Sequence, residues 1–341
     1  MRVKVVFSMF ALVAVIAFAT VASAGKVGNG SSLGSAQVFV PNPVQSSGDE
    51  SLTDQKDSDA AVPAAAYHAV TLTHLDGTGF LRGDYADVYS STGNLAFSPT
   101  NTFAYTRHQD EFEQVMAYYW MTQAQVYIHQ LGFGSSLPPI NNEPQDARIN
   151  QWGVDNSFET DHPKDELRFG KGGVDDAEDG EVILHEYGHA IHQSQGFNFA
   201  PEENGAISEG FGDYWAVTVS DVFAPGTPAQ LLPCVADWDS TSYTSGPVHC
   251  LRRVDGNLHY PADLNGEVHH DGQIWSRALW DIRKALGHTK ADKIILFATN
   301  GYTGTSMPDL ANRTVSAAQS LYGNAEANAV RQAFVDRGIL H

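Results

Sequence analysis

The chain has 341 residues, 42% of them hydrophobic, enough for a substantial core and for one enzyme-sized unit of one or two lobes. With 20 Lys and Arg against 40 Asp and Glu, its formal net charge of −20 repels polyanions and argues against a nucleic-acid partner. The N-terminus carries Arg2 and Lys4, an apolar run from Val5 to Val21, and Ala22-Ser23-Ala24, the three parts of a secretory signal peptide over 1–24 with cleavage near Ala24-Gly25. An uncleaved membrane anchor is the competing explanation, but the small-residue cleavage pattern and the polar sequence after it favour removal. The expected mature protein is therefore secreted or periplasmic and has no stable membrane association. Loss of Arg2 and Lys4 leaves 18 cations against 40 acids, a net charge of −22.

Residues 25–66 are rich in Gly, Ser, Asp, Pro and Ala, with little periodicity beyond "AQVFVPNPV". They are expected to be a linker or short pro-segment. From Tyr67, "YHAVTLTHL" alternates and "GTGFLRGDYADVYS" follows with turn glycines, so both read as strands. In "DEFEQVMAYYWMTQAQVYIHQLG", Phe112, Val115, Met116, Tyr119 and Val126 fall at helical spacing, a core-facing stripe. The segments around "SEGFGDYWAVTVSDVF", "GQIWSRALWDIRKALG", "DKIILFATNG", "DLANRTVSAAQSLYG" and "AEANAVRQAFVDRG" all read as helices. The class is α+β: a strand-containing N-terminal lobe over 67–197 and a mainly helical C-terminal lobe over 198–341. Cys234 and Cys250 are the only cysteines, and in an oxidising compartment they are expected to close one loop, contributing about 3 kcal/mol in the loop-entropy model.

Between the halves, "VILHEYGHAIH" spans Val182 to His192. On a helix His185 and His189 lie one turn apart on the same face and could grip one ion, while Glu186 could reach a water on it. Acids Asp175, Asp176, Glu178 and Asp179 precede the helix and suit its positive end. Two core histidines with ordinary hydrogen bonds would be the mundane reading, and the motif alone does not exclude it. A catalytic zinc ion wants a third protein ligand and one open position. His192 lies about 10.5 Å along the axis from His185, so it is expected to be structural or solvent-facing. The metzincin pattern fails, because Gln195 stands where its third histidine would be. Glu209, on the following helix in "ENGAISEGFGDYWA", can complete the site.

"HEYGHAIH" followed 20 residues after its second histidine by Glu209 in "GAISEGFGD" resembles the thermolysin and fungalysin group of gluzincin metallopeptidases. "FGKGGVDDAEDGEVILHEYGHAIH" and "EVHHDGQIWSRALWDIRKALG" are similar to bacterial fungalysin-like peptidases, from about Tyr67 to the C-terminus. The resemblance implies a two-lobed zincin with the active-site cleft between its lobes. It also implies zinc on His185, His189 and Glu209, Glu186 as general base and then acid, and Asp213 on the far nitrogen of a ligand histidine. In "DNSFETDHPKDELRFG", Asn156 and Ser157 match a strand that pairs with substrate backbone, a form of strand addition. An apolar pocket for the residue after the cut would touch Val182. His269, in "EVHHDGQIW", takes the place of an oxyanion donor, with Asp271 as expected N-cap of the next helix and His269 and His270 in the turn before it.

The chain departs from the pattern in three places. It has "GFNFAPEE" where thermolysin-like enzymes carry a tyrosine, leaving Tyr260 as a weak substitute. Gln273 replaces a glutamate, and no long inhibitory pro-domain separates the signal peptide from the core. Calcium could take oxygens from Glu181 and the acids before the helix. The expected activity is a secreted zinc endopeptidase acting on proteins or peptides. The alternatives are a non-catalytic zinc-fold adhesin, against which the intact Glu186 argues, and a zinc hydrolase of cell-wall peptide. Side-chain preference and oligomeric state are not legible in the sequence.

Overall fold

The computed structural model describes residues 32–341, so the signal peptide expected over 1–24 lies outside the described residues. Among the described residues, no helix is long and apolar enough to cross a membrane. The first half contains strands β1 (Ser32–Val38), β2 (His68–Leu75), β3 (Ala86–Ser90), β4 (Thr102–Phe103), β5 (Gln145–Ile149), β6 (Phe158–Thr160) and β7 (Glu166–Arg168). With them go the short helix α1 (Pro43–Ser47) and the long helix α2 (Glu111–Gln130). One sheet has the order β2-β1-β4, the other β3-β5-β7-β6 with β3, β5 and β7 parallel and β6 antiparallel at its edge. Both sheets contact α2, which is buried around most of its circumference, as a helix between layers must be.

Helices α3 (Gly180–Ser194) and α4 (Glu202–Phe223) join the halves. Beyond them come β8 (Cys234–Val235), β9 (Arg252–Arg253), α5 (Val268–Leu286), α6 (His288–Thr299), α7 (Met307–Leu321) and α8 (Asn324–Asp336). The five helical segments expected in the second half all form. Asp179 caps α3 by accepting from Glu181 N at 2.9 Å, which satisfies one of the helix's free amides. Two glycines let α3 and α4 approach closely. A Cβ on Gly188 would stand 3.0 Å from Gly212 Cα, and one on Gly212 would stand 2.8 Å from His185 Cε1.

Two expectations need correction. The stretch read as linker over 25–66 is, from Ser32 onward, part of the fold: β1 is the central strand of its sheet, and Val38, Phe39 and Val44 are fully buried. Phe39 packs against Tyr67 and Phe112 with ring centroids 4.9 and 4.8 Å apart. Polar composition misleads here because β1 gains its stability from strands thirty or more residues away in sequence, a pairing that local periodicity does not register. The second correction concerns α5, which begins four residues earlier than expected. Its N-cap is Glu267, accepting from the amides of His269 and His270, so both histidines lie in the first turn. Asp271 instead accepts from Asn265 N and Gly266 N at 2.9 and 3.0 Å, holding the loop before the helix.

A buried ion pair ties the N-terminal stretch to the motif region. The Arg107 side chain is fully buried, donates to Glu178 from Nε at 3.0 Å and from Nη2 at 2.9 Å, reaches Asp54 Oδ1 at 2.6 Å, and lies 5.1 Å over the Trp238 ring. Removing one partner of such a pair strands the other charge in a dry site. Arg107→Ala should lower unfolding stability by about 3–5 kcal/mol in urea titration. Cys234 and Cys250 are disulfide-bonded, with Cα atoms 5.4 Å apart, and thiol labelling of unreduced, denatured protein should find no free cysteine.

Candidate active site

The helical spacing on α3 and the close α3–α4 crossing bring three ligand-type side chains together. His185 Nε2 lies 3.3 Å from Glu209 Oε2, and His189 Nε2 lies 3.6 Å from Glu209 Oε1. One donor atom from each of the three residues lies within 4.8 Å of the others. Corners of a tetrahedron with zinc–ligand bonds of about 2.0–2.1 Å stand about 3.3–3.4 Å apart, so the arrangement suits one zinc ion held by two imidazoles and a carboxylate. A further sign is that Glu209 Oε2 and Glu186 Oε2 are buried without a hydrogen-bond partner, a costly state that a cation would relieve.

Around these residues the ring nitrogens are held in place. His185 Nδ1 faces Asp213 Oδ1 at 3.0 Å, and His189 Nδ1 lies 2.8 Å from Ser208 Oγ. Asp213 is gripped by Arg252 through two contacts of 2.7 Å. Ser208 also meets His192 Nδ1 at 3.1 Å. His192 is fully buried and stacked between Phe197 and Phe211, with centroids 4.4 and 4.3 Å away, so it is structural, as expected, and not solvent-facing.

The electrostatics follow from burial and neighbours. Burial pushes the Glu186 carboxyl up to about 8 and the His189 imidazole down to about 4. Burial also opposes the charged form of His185, but the Asp213 and Glu209 carboxylates facing its two ring nitrogens outweigh it and push this group up to about 10. Against the same desolvation, His189 and His185 hold Glu209 well below the usual carboxylate range. Arg252 does the same for Asp213.

A cavity of about 460 Å³ opens beside these groups, lined by His185, Glu186, Val182, Asn156, Ser157 and His269 among others. Asn156 and Ser157 lead directly into β6, whose outer edge has no strand partner among the described residues. His269 is half exposed. Its Nδ1 lies 2.5 Å from Glu267 Oε1 and its Nε2 lies 3.4 Å from Glu209 Oε2. His270 turns to Asp271 at 3.0 Å. Tyr260 is not part of the cavity lining and donates to Glu203 at 3.3 Å. The acids considered for calcium mostly have protein partners. Glu181 accepts from Ser220 Oγ and Ala236 N, both at 2.9 Å, while Glu178 takes Arg107 and Trp238 Nε1.

Residues 242–339 match the family model described as "Thermolysin metallopeptidase, alpha-helical domain". Among solved structures, the precursor of protealysin, a metalloproteinase from Serratia proteamaculans, aligns at 18% identity with a TM-score of 0.55. The alignment covers 74% of this chain and 87% of that one. The chain has the two-lobed thermolysin-like fold. This agrees with the α+β, two-lobed architecture expected from the sequence, and the chain resembles the thermolysin-like zinc metallopeptidases.

Sequence reasoning passed over Ser208, Arg252 and Glu267. Ser208 sits one residue before Glu209 and Glu267 two before His269, so both lay in quoted motifs without a signal of their own. Arg252 lies on β9, which pairs with β8, and meets Asp213 from 39 residues away in sequence. Glu209→Ala should abolish tight zinc binding in a chelator competition assay, whereas His192→Ala should not remove a ligand. Asp213→Asn should weaken zinc by about 10- to 100-fold in the same assay, as changes in groups orienting a ligand do.

Proposed function

We propose that the protein is a secreted zinc-dependent endopeptidase. The observation that carries this reading is the approach of Glu209 from α4 to both imidazoles of α3, with the unpartnered Glu186 carboxylate opening onto the same cavity. His185, His189 and Glu209 hold the zinc ion. When bound, zinc supplies Lewis acidity that polarises the scissile carbonyl and makes an attacking water acidic.

Glu186 accepts the proton of that water and passes it to the leaving amide nitrogen, so one carboxyl serves as base and then acid. Its burial makes the proton exchange easier than for an exposed glutamate, because the gap between carboxyl and water acidity is narrowed. His269 donates from Nε2 to the carbonyl oxygen as negative charge develops, while Glu267 holds its Nδ1–H. Asp213, itself fixed by Arg252, accepts from His185 Nδ1–H and presents the other nitrogen to the metal. An extended peptide pairs with the free edge leading into β6, beside Asn156 and Ser157. Export rests on the signal-like N-terminus.

Glu186→Gln should retain zinc yet hydrolyse casein at less than a hundredth of the wild-type rate, since Gln keeps the shape and cannot take the proton. Zinc content and hydrolysis measured with and without a chelator also separate an enzyme from a non-catalytic zinc-fold binder. His269→Ala should lower kcat by roughly 10²- to 10³-fold with zinc content unchanged, as loss of one oxyanion donor does. His270→Ala should do far less, and the reverse ranking would move the role to His270.

A further inference from the structure

The cavity beside Glu186 is not the apolar pocket that the family resemblance implies. Its walls include Val182, Val235 and Leu251, but three carboxylates, Asp155, Asp176 and Asp239, also line it. One oxygen from each of the three lies within 4.8 Å of the others. Asp176 and Asp239 are only 2% and 5% exposed, and Oδ1 of each is buried with no hydrogen-bond partner. Their other oxygens are occupied: Ser157 Oγ and Gly170 N bond Asp176 Oδ2, and Tyr243 donates to Asp239 Oδ2 at 2.8 Å. Among the described residues, no Lys or Arg forms an ion pair with any of the three. Arg252 lines the same cavity but is committed to Asp213.

Of these three clustered acids, the two buried ones, Asp176 and Asp239, each aim an unpartnered oxygen at the cluster, an arrangement suited to a positively charged group. Burial pushes Asp176 up to about 7 and Asp239 well above the carboxylate range, as expected where no positive charge compensates. An apolar sleeve ending in acids matches a side chain with an aliphatic stem and a charged head.

We propose that this pocket binds a Lys or Arg side chain of the substrate at a position flanking the scissile bond, making the enzyme selective for basic residues there. The inference rests on the peptidase reading and deepens it. The cavity is continuous with Glu186 and His185, so a side chain seated in it belongs to a residue next to the bond being cut. The ammonium or guanidinium donates to Asp176 Oδ1 and Asp239 Oδ1, with Asp155 at the more exposed side. Charge-assisted hydrogen bonds in a desolvated pocket discriminate strongly, because an apolar competitor leaves the carboxylates unpaired.

The test is a cleavage profile of the zinc-loaded mature protein on a peptide library, followed by kcat/KM for paired peptides carrying Arg or Leu at the selected position. The expected result is enrichment of Lys and Arg at one flanking position and an Arg-to-Leu ratio of at least ten. Asp239→Asn should lower that ratio about tenfold or more. Asp155→Asn, which alters the exposed member and spares the buried pair, should lower it in the same direction and keeps the test open if the first variant fails to fold. Cleavage with Leu, Phe or Val enriched and no basic preference would overturn the inference while leaving the peptidase reading intact. Metal analysis adds a second check: a tightly bound divalent ion besides zinc, lost in Asp239→Asn, would overturn it in favour of a metal site. No cleavage of any peptide by the zinc-loaded protein would defeat the peptidase reading and this inference together.

Discussion

The close crossing of α3 and α4 is the constraint on which the site depends. A helix can place His185 and His189 on one face by its own periodicity, but a third ligand must come from another element. Glu209 reaches them because Gly188 and Gly212 meet at the crossing, where a side chain on Gly212 would run into the His185 ring. The same approach lets Asp213, one turn after Glu209, face His185 Nδ1, and lets Ser208 face His189 Nδ1. One interhelical contact thus brings Glu209 to the His185–His189 face and fixes both ring orientations.

Buried acids organise the surroundings, in two ways. Those with partners hold structure together: Glu178 neutralises Arg107, Glu181 accepts from Ser220 and Ala236, and Asp179 caps α3 while taking the amides of Trp238 and Asp239 at 3.2 Å. Asn42 Nδ2 joins this network through Asp179 and Asp237, which explains why residues before Tyr67 are integral to the fold. Those with one oxygen left unpartnered, Asp176 and Asp239, line the cavity. The strong net negative charge therefore includes groups inside the protein as well as a solvated surface, and the two kinds do different physical work.

Local patterns made much of this legible in advance. The 3.6-residue repeat exposed the helices, the four-residue spacing of His185 and His189 marked a face able to hold a metal, and Glu209 with Asp213 stood at matching spacing on the next helix. These features survive because each depends on residues close in sequence. The role of β1 was hidden, since a strand read from a polar stretch is recognisable only with the partners it pairs with. The start of α5 was also misplaced, because Glu267 and Asp271 are both acidic candidates for a cap and backbone geometry chooses between them.

From the sequence alone came the α+β class, the helix-borne His185-Glu186-His189 face, its completion by Glu209, and the pairing of Cys234 with Cys250, all carried by spacing or by residue type. Tertiary structure alone decided that Arg252 grips Asp213, that Ser208 orients His189, and that Asp155, Asp176 and Asp239 converge on the pocket beside Val182. Those residues lie 39, 19 and up to 84 positions from their partners, and no local periodicity encodes which distant side chains a folded backbone will bring within a few ångströms of one another.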